Sequence, residues 1–466
     1  MLPLDRISML PAALLLLLNA ALSAAQTRTT LQTGFVTTIS TAPNPPFFIL
    51  AAADQLAVSI ALCKGTTDTP GPRFFLTNSS TTASPGPDGG DNVFEIVLDQ
   101  GHGSWTGTFP SGGVLGVTNV PPTMTFEIGV STGVPIHESA AVAALFGDST
   151  ATQAILFSPP FSAPDIEAPK YPNYTLPSAI PSIPAAPSDP KNYTLIVSPT
   201  SNGLTSMQQT SCALRTQRST GVVAAQNLWL RDTRGWRFEW FMTGLTPKTN
   251  YTAYVLLDDY KVTKPIFFTT KSSSFSCSLV SRLPYCPSIA YAVPLPPPPS
   301  PALSYDSTNM PASLADPLIS SLTNFTTTLT TFACGRDFYS PIVTCADCQR
   351  TYRTWLCAVS LSRCADTDTA PPSAALLPSQ SPQTRNAGFA AGSGTFTQLL
   401  PCLETCTATD RACPNFLGFR CPLPRFNAAQ SYGVGFIDSG RDGEMGGGST
   451  GLWADDYGNA WCNSGW

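Results

Sequence analysis

The sequence predicts a multidomain, mainly β protein that ends in a helical, disulfide-rich part. Residues 34–160 carry short β-rich runs interrupted by Gly, Pro, Asn and Asp, as in an all-β sandwich. Residues 192–272 show a second set of such runs. Twelve of the fourteen cysteines then fall between Cys277 and Cys462, among segments with helical periodicity. A chain of 466 residues is expected to form about three domains at roughly 150 residues each.

The domain boundaries are predicted from shifts in composition along the chain. Prolines crowd one stretch between the two β-rich regions, which predicts a stiff, extended linker. An Ala/Ser/Pro/Thr-rich stretch predicts a flexible insertion in the last domain. The expected order is a signal peptide at 1–25, a β-sandwich at 26–160, a Pro-rich linker at 161–191, a second β-sandwich at 192–272, and a cysteine-rich helical domain at 273–466 with its insertion at 365–395.

The first 25 residues have the features of a secretory signal peptide. Arg6 precedes an apolar run, and Ser23 and Ala25 supply small residues for cleavage. The run is shorter than the ~20 residues that an uncleaved anchor needs. We therefore expect a mature chain that is exported through the secretory pathway and is either soluble or held at a membrane only by a partner. Five N-x-S/T sequons agree with export and predict a glycoprotein: Asn78, Asn173, Asn192, Asn250 and Asn324.

Composition excludes several classes of function. Only 12% of residues are charged and the net charge is −5, which does not suit a nucleic-acid partner. His102 and His137 are the only histidines, which disfavours His-rich metal sites and most acid–base enzymes. His102 is expected in a turn, and His137 has no partner nearby in sequence. We expect no cofactor and no enzymatic activity.

An even number of cysteines in an oxidising compartment predicts up to seven disulfides, with the connectivity left open. Cys345-Ala346-Asp347-Cys348 also has the spacing of a zinc or redox pair, but zinc would need two more ligands at compact spacing. The predicted disulfide cysteines are Cys63, Cys212, Cys277, Cys286, Cys334, Cys345, Cys348, Cys357, Cys364, Cys402, Cys406, Cys413, Cys421 and Cys462.

Two glycine-rich motifs near the C-terminus resemble functional loops only in part. Residues 447–451 match the G-x-S-x-G elbow of hydrolases, but both histidines lie far upstream and no strand precedes the motif. Residues 438–444 resemble a Ca²⁺ loop, but its twelfth position is Ser449 where a carboxylate is required. Flexible loops explain both better.

Two helices are predicted in the cysteine-rich part. The first has Asp316 as N-cap and Pro317 as first helical residue. Its apolar face is formed by Leu314, Leu318, Leu322, Phe325, Leu329 and Phe332. The second begins at about Cys345 and places on one face Cys345, Cys348, Tyr352, Trp355 and Val359. Cys357 points elsewhere, so cysteines on two faces could tie this helix to two neighbours.

The second β-rich region contains a motif of known folds. Leu245, Pro247, Thr249 and Tyr251 form L-x-P-x-T-x-Y, which resembles the tyrosine corner of fibronectin type III domains. The resemblance implies a sandwich fold and no particular function.

The cysteine block resembles one family over a longer stretch. Between Tyr339 and Cys364 the sequence has the pattern Y-S-P…T-C-x-D-C…Y-x-x-W-L-C-x-V…R-C. This is similar to the signature of the fungal stretch-activated calcium-channel component, named for mating-pheromone-induced death. Residues 277–291 agree, whereas Leu361-Ser362 replaces the expected Ile-Pro. The cysteine-rich domain also resembles the Frizzled-like domain of accessory proteins of the animal sodium-leak channel.

The resemblance implies a regulatory subunit of the fungal high-affinity Ca²⁺ influx system. Its partner would be a large pore-forming subunit of the voltage-gated Ca²⁺-channel type, through which the chain is held at the membrane without its own transmembrane helix. Tyr339, Tyr352 and Trp355 are the candidate framework of the partner-binding surface, with the alternative that they are core residues only. A cell-wall or carbohydrate-binding module and a secreted hydrolase remain as alternative functions.

Overall fold

The computed structural model describes residues 28–64, 71–79, 81–90, 92–164, 175–258, 260–371, 374–378, 386–389, 396–435 and 453–465. The predicted signal peptide, the Asn173 sequon, both glycine-rich motifs and much of the predicted insertion lie outside these residues. The described chain forms two compact units, Met1–Glu138 with Gln208–Ala213, and Ser139–Met207 with Leu214–Trp466. The boundary after the first unit therefore lies at Glu138, earlier than residue 160, where the sequence predicts the end of the first sandwich.

Unit 1 consists of two β-sheets around one apolar core. One sheet has the strand order β1-β3-β8-β5-β6 and the other β2-β9-β4-β7. The strands are β1 (Thr29–Thr30), β2 (Phe35–Ile39), β3 (Phe47–Leu50), β4 (Ala53–Lys64), β5 (Arg73–Thr77), β6 (Val93–Ile96), β7 (His102–Phe109), β8 (Gly113–Thr118) and β9 (Thr125–Ser131). A short strand β10 (Glu138–Ala140) lies at the division between the units.

The central strand β4 shows why this sheet forms. Val58, Ile60 and Leu62 alternate into the core, with Phe74 and Phe126 among their neighbours there. Small residues occupy the other face of β4, which is also buried. The Cys63–Cys212 disulfide holds Gln208–Ala213 on this unit.

Unit 2 contains a second pair of sheets. One sheet has the strand order β11-β12-β15-β14. In the other sheet β13 pairs with β16 on one side, and β17 and β18 each pair with β16 on the other. The strands are β11 (Leu145–Ser149), β12 (Ala154–Phe157), β13 (Tyr193–Pro199), β14 (Val222–Asp232), β15 (Gly235–Thr243), β16 (Asn250–Leu257), β17 (Lys261–Thr263) and β18 (Ile266–Thr269).

Strand pairing in this sandwich differs from the predicted domain limits. Strand β12 pairs antiparallel with β15, with Ile155 opposite Phe241. The second sandwich therefore takes two strands from before residue 160. The alternation of side chains predicts that a strand exists, but it does not identify the strand's partner. The remaining domain limits stay predictions.

The tyrosine motif forms a corner between strands. The Thr246 backbone N–H donates to the Tyr251 hydroxyl at 2.8 Å. The Tyr251 ring is fully buried and stacks on Phe268 at 5.2 Å between ring centroids. One side chain therefore fixes the turn before β16 and fills the core.

The helices lie mainly in the C-terminal part of unit 2. They are α1 (Ser211–Arg215), α2 (Ala312–Thr330), α3 (Cys345–Ser360), α4 (Leu403–Ala412) and α5 (Ala429–Ser431), the last preceded by a π-helical turn, Pro424–Ala428. Short strands accompany them: β19 (Ser278–Val280), β20 (Tyr291–Val293), β21 (Cys364–Ala365), β22 (Leu376–Pro378) and β23 (Thr397–Leu399). The prediction of a mainly β chain with a helical, disulfide-rich C-terminal part is confirmed.

Helix α2 begins earlier than predicted. Its N-cap is Pro311, and Pro317 lies inside the helix, so the assignment of Asp316 as N-cap is wrong. Leu314 is only 2% exposed and packs with Leu318 and Leu322. Burying Leu314 extends the helix upstream, and this offsets the backbone hydrogen bond that Pro317 cannot donate. The predicted apolar face is otherwise correct up to Leu329, while Phe332 lies beyond the helix end.

We expect the Tyr251→Phe variant to be less stable than the wild type by about 1 kcal/mol, because it removes one hydrogen bond and keeps the buried ring. Urea unfolding of the purified chain, followed by tryptophan fluorescence, measures the change. An unchanged unfolding midpoint would show that the Thr246–Tyr251 bond does not stabilise the corner.

Candidate functional site

The family signature begins with the start of helix α3. Thr344 is the N-cap, and its side chain accepts from the Asp347 N–H, while the Asp347 carboxylate accepts from the Thr344 N–H at 2.9 Å. The threonine and the aspartate of the T-C-x-D-C pattern thus form a capping box at the start of the helix. Burial alone would raise the pKa of Asp347, but hydrogen bonds from Thr344 and the charge of Arg350 hold this pKa below its ordinary value. Its negative charge lies in the first helical turn, where the helix dipole favours it.

Disulfides fix both ends of α3. Cys345 and Cys348, at its first turn, pair with Cys334 and Cys413. Near its C-terminus, Cys357 pairs with Cys286, and Cys364 just beyond pairs with Cys277. The remaining disulfides are Cys402–Cys462, Cys406–Cys421 and Cys63–Cys212. All fourteen cysteines are thus oxidised, and the Cys345–Cys348 spacing serves two separate crosslinks instead of one metal or redox pair.

The three framework aromatics are half-buried and hold the helices together. The Tyr339 hydroxyl lies 2.7 Å from the Thr344 carbonyl oxygen and 2.8 Å from that of Ala412. Tyr352 stacks on Phe325 of α2 at 3.5 Å between ring centroids. The Trp355 indole N–H donates to the Tyr432 hydroxyl at 2.8 Å. These contacts show packing roles for all three residues, and their part in partner binding remains a prediction.

The signature ends in a buried ion pair that sequence reasoning missed. The Arg363 Nε donates to an Asp148 carboxylate oxygen at 3.0 Å, and both side chains are at most 2% exposed. Lys271 Nζ lies 3.8 Å from the other Asp148 oxygen and is also buried. The Arg363 guanidinium lies over the rings of Tyr291 and Trp453 at 5.5 and 5.1 Å. Arg363 therefore connects the cysteine block to the end of strand β11.

The charges in this cluster depend on one another. Burial alone would raise the pKa of Asp148, but Arg363 and Lys271 outweigh it, so the pKa lies below its ordinary value of 3.8. Burial lowers the pKa of Lys271, and Asp148 opposes this shift. The Asp148 carboxylate also accepts from the Ser149 and Ala292 backbone N–H groups. The one sequence signal for this buried cluster is the arginine before the last cysteine of the family motif.

A short segment of the Pro-rich stretch, residues 177–179, contacts helix α3. Gln349 donates to the Pro177 carbonyl oxygen at 2.5 Å, and Arg353 donates to that of Ser178 at 3.1 Å. Ala179 is buried in the same core as Leu318 and Leu322. Residues 177–179 are therefore held against helix α3, although only Ala179 of the three is buried.

A cavity of about 300 Å³ opens between α3 and α4. Thr354, Glu404 and Ala408 line it from the helices, and Trp453 closes one side. The same Trp453 ring carries Arg363 above it. The cavity thus adjoins the buried ion pair.

Unit 1 contains a polar cluster that bears on the hydrolase alternative. His137 Nδ1 lies 3.1 Å from Ser59 Oγ, and His137 Nε2 lies 3.2 Å from a Glu127 oxygen. Ser59 is 0% exposed and His137 only 2%, so no substrate can reach the hydroxyl. His137 therefore has partners, from strands β4 and β9. His102 closes a tight turn through Gln100 and Gly101, because its N–H donates to the Asp99 carbonyl oxygen at 3.0 Å, and it also begins strand β7.

Metal-ligating residues come close together twice in the described part of the chain. Cys63, Glu127 and Cys212 form one group, and Cys402, Glu404 and Cys462 form the other. In each group the two sulfur atoms belong to one disulfide. These groups are therefore crosslinks beside a carboxylate, since only a free thiolate binds zinc well.

The described sequons differ in accessibility. Asn192, Asn250 and Asn324 are exposed, the last on the outer face of α2. Asn78 is half-buried, and its side-chain nitrogen donates to the Thr108 carbonyl oxygen at 2.9 Å. A glycan on Asn78 would replace one of the two hydrogens on this nitrogen, and the other would have to serve the bond to Thr108.

We expect Arg363→Met to destabilise the protein by about 3–5 kcal/mol, because it leaves a buried carboxylate with only Lys271 nearby. Asp148→Asn should cost a similar amount, since two buried cations then lose their counter-ion. Thermal unfolding checks both. Arg73→Gln is the control, because it breaks another arginine–carboxylate pair, Arg73–Glu95, which is bidentate but exposed. An effect of Arg363→Met no larger than that of the control would contradict a structural role for the buried pair.

Asp148 also predicts a pH dependence. Its pKa is lower in the folded chain than in the unfolded one, so its stabilisation is complete above pH 3.8. This stabilisation is lost as the pH falls through the lower folded pKa. The melting temperature is measured from pH 6 to pH 2, a range of about two units on either side of 4. It should fall less steeply with decreasing pH for Asp148→Asn than for the wild type. Parallel declines would assign the acid sensitivity to other carboxylates.

Among the described residues, none of the helices is both long and apolar enough to cross a membrane.

The chain resembles proteins of three fungi. It is 34% identical to the stretch-activated cation channel MID1 of Cryptococcus neoformans over 79% of this chain and 66% of that protein. It is 30% identical to MID1 of Saccharomyces cerevisiae over 50% of this chain and 45% of that protein, and 29% identical to yam8 of Schizosaccharomyces pombe over 42% and 40%. The chain thus spans less than two thirds of the length of the curated relatives it matches.

One solved structure is also similar in part, the glycoside hydrolase domain of Endo-D from Streptococcus pneumoniae R6. The TM-score is 0.16 and the identity 10%, over 48% of this chain and 30% of that one, so this likeness carries no argument. A family model described as "Stretch-activated Ca²⁺-permeable channel component" matches residues 55–445, which include the capped, disulfide-linked helix and Arg363. That description is of a channel component and not of an enzyme. The chain belongs to this family, Mid1.

Proposed function

We propose that this protein is an extracytosolic accessory subunit of a fungal plasma-membrane Ca²⁺ channel of the voltage-gated type. It docks on the large pore-forming subunit and supports that subunit's assembly, surface delivery or gating, and so Ca²⁺ influx. The observation that carries the proposal is that the family signature forms a rigid module. Four disulfides, a capped helix and a buried ion pair hold its residues in place.

Rigidity suits a docking role. Binding is weakened when flexible side chains and loops must lose conformational entropy to form the interface. A crosslinked module has already lost this entropy on folding, so it loses less on binding. The subunit can alter gating only if it binds the open and closed pore with different affinities. A constitutive chaperone role needs no such difference.

The route to the membrane belongs to the same proposal. Signal peptide 1–25 directs the chain into the secretory pathway, where its disulfides form. Glycans on sequons such as Asn192, Asn250 and Asn324 help to solvate a surface with few charges. The pore subunit then holds the protein on the extracellular face of the plasma membrane.

We expect the tagged wild-type chain, purified from detergent-solubilised membranes, to bring down a polytopic pore-forming subunit, because the module docks on it. Deleting the gene should reduce Ca²⁺ influx, measured with a cytosolic Ca²⁺ indicator. The Cys348→Ser/Cys413→Ser variant should weaken recovery of the pore subunit, because it frees α4 from α3. Normal influx in the deletion strain, with no channel protein recovered, would overturn the proposal.

A further inference from the structure

The signature loop before α3 displays apolar side chains to solvent. Phe338 is 79% exposed and Ile342 is 87% exposed, one on each side of the half-buried Tyr339. Phe416, at a turn after α4, is 55% exposed. We refer to Phe338, Ile342 and Phe416 as the apolar surface.

The two segments that carry the apolar surface lie next to each other. The Phe332 ring is 5.6 Å from the Tyr339 ring and 5.6 Å from the Phe416 ring, measured between centroids. The Tyr339 hydroxyl contacts the carbonyl oxygen of Ala412, at the end of α4. Phe332 and Tyr339 thus form the base from which the exposed side chains project.

Disulfides make this surface rigid. Cys334–Cys345 closes the loop that contains Phe338 and Ile342. Cys348–Cys413 and Cys406–Cys421 hold the segment that contains Phe416. The surface is therefore preorganised, and binding through it orders few further groups. Exposed aromatic side chains on a fixed base are the usual anchors of protein interfaces.

The surroundings of the apolar surface are basic, although the whole chain has a net charge of −5. Residues 332–343 and 407–426 contain four arginines and two aspartates. The Arg336–Asp337 and Arg420–Asp410 pairs are largely exposed, where solvent screens them, and Arg411 is exposed as well. This combination fits a partner surface that is both apolar and acidic.

We propose that the apolar surface docks on an acidic extracytosolic loop of the pore-forming subunit. This inference rests on the proposed function. The outer face of a cation-conducting pore concentrates carboxylates, which attract the permeating ion. Arginines around the apolar surface complement such a loop and orient the encounter, while Phe338 and Ile342 supply the buried contact.

Site-specific photo-crosslinking on the full-length, membrane-derived complex tests the proposal. A benzoyl-phenylalanine replaces Phe338 in one chain and Val97, on unit 1, in a control chain; Val97 is 78% exposed, a close match. Each chain is irradiated in isolated membranes, and crosslinked peptides are identified by mass spectrometry. We expect position 338 to capture peptides from an Asp/Glu-rich extracytosolic loop of the pore subunit, at least about tenfold above position 97.

Charge and apolar variants supply an independent readout. Phe338→Asp combined with Ile342→Asp should reduce recovery of the pore subunit by about 30-fold, and Arg411→Glu by about tenfold at low salt and less at high salt. Val97→Asp should leave recovery unchanged. Secretion and non-reducing gel mobility show that each variant has folded with its disulfides. Equal recovery for folded surface variants and the wild type would overturn the inference.

The outcomes separate this inference from the proposed function. Crosslinks from position 338 to lipid, or to a second copy of this chain, overturn the inference even if the pore subunit co-purifies. Crosslinks to a basic or neutral loop of the pore subunit overturn the charge argument and with it the stated partner surface. If no pore subunit is recovered with the wild-type chain, the proposed function fails, and the inference fails with it.

Discussion

The contact between Arg363 and Asp148 is the interaction on which the arrangement of unit 2 depends. Arg363 lies one residue before Cys364, at the end of the signature, and Asp148 is the next-to-last residue of a sandwich strand. Both are buried, so each charge needs the other to remain inside the protein. Their pairing, together with Lys271, therefore constrains how the segment after helix α3 lies against strand β11. Removing either partner would leave an uncompensated buried charge, so the pair restricts which arrangements of unit 2 are stable.

Hydrogen bonds next to the pair extend the same connection. Asp366, two residues after Cys364, accepts from the Ser272 backbone N–H and hydroxyl, beyond the last sandwich strand. Tyr291 lies under the Arg363 guanidinium, and its hydroxyl donates to the Leu361 carbonyl oxygen at 2.8 Å. Asn463 in turn donates to the Tyr291 hydroxyl and to the Ala358 carbonyl oxygen. Residues from four distant parts of the chain thus converge around one guanidinium, which explains why the motif ends in Arg-Cys.

Local features of this fold could be predicted from sequence, and long-range ones could not. The tyrosine corner at Tyr251 and the cysteine positions depend on spacing that is visible in the sequence, as does the face of Leu314, Leu318 and Leu322. The partner of strand β12 and the helix position of Pro317 depend on which core surface is available after folding. The partnership of Asp148 with Arg363 spans more than 200 residues and leaves no periodic signal. The partners of His137 are invisible in the sequence for the same reason, because Ser59 and Glu127 are brought near it by the register of β4 and β9.

Disulfides and buried charges have different roles in this protein, and the difference bears on its function. A disulfide mainly restricts the unfolded chain, so it can hold a loop whose own side chains are exposed. The loop that carries Phe338 and Ile342 is held over a small buried cluster by Cys334–Cys345 and by Tyr339, while its apolar side chains remain in solvent. A loop of this length that depended on burial for its stability would have turned those side chains inward. The crosslinks therefore allow the signature to be rigid and still expose apolar side chains. Both properties suit the proposed docking role.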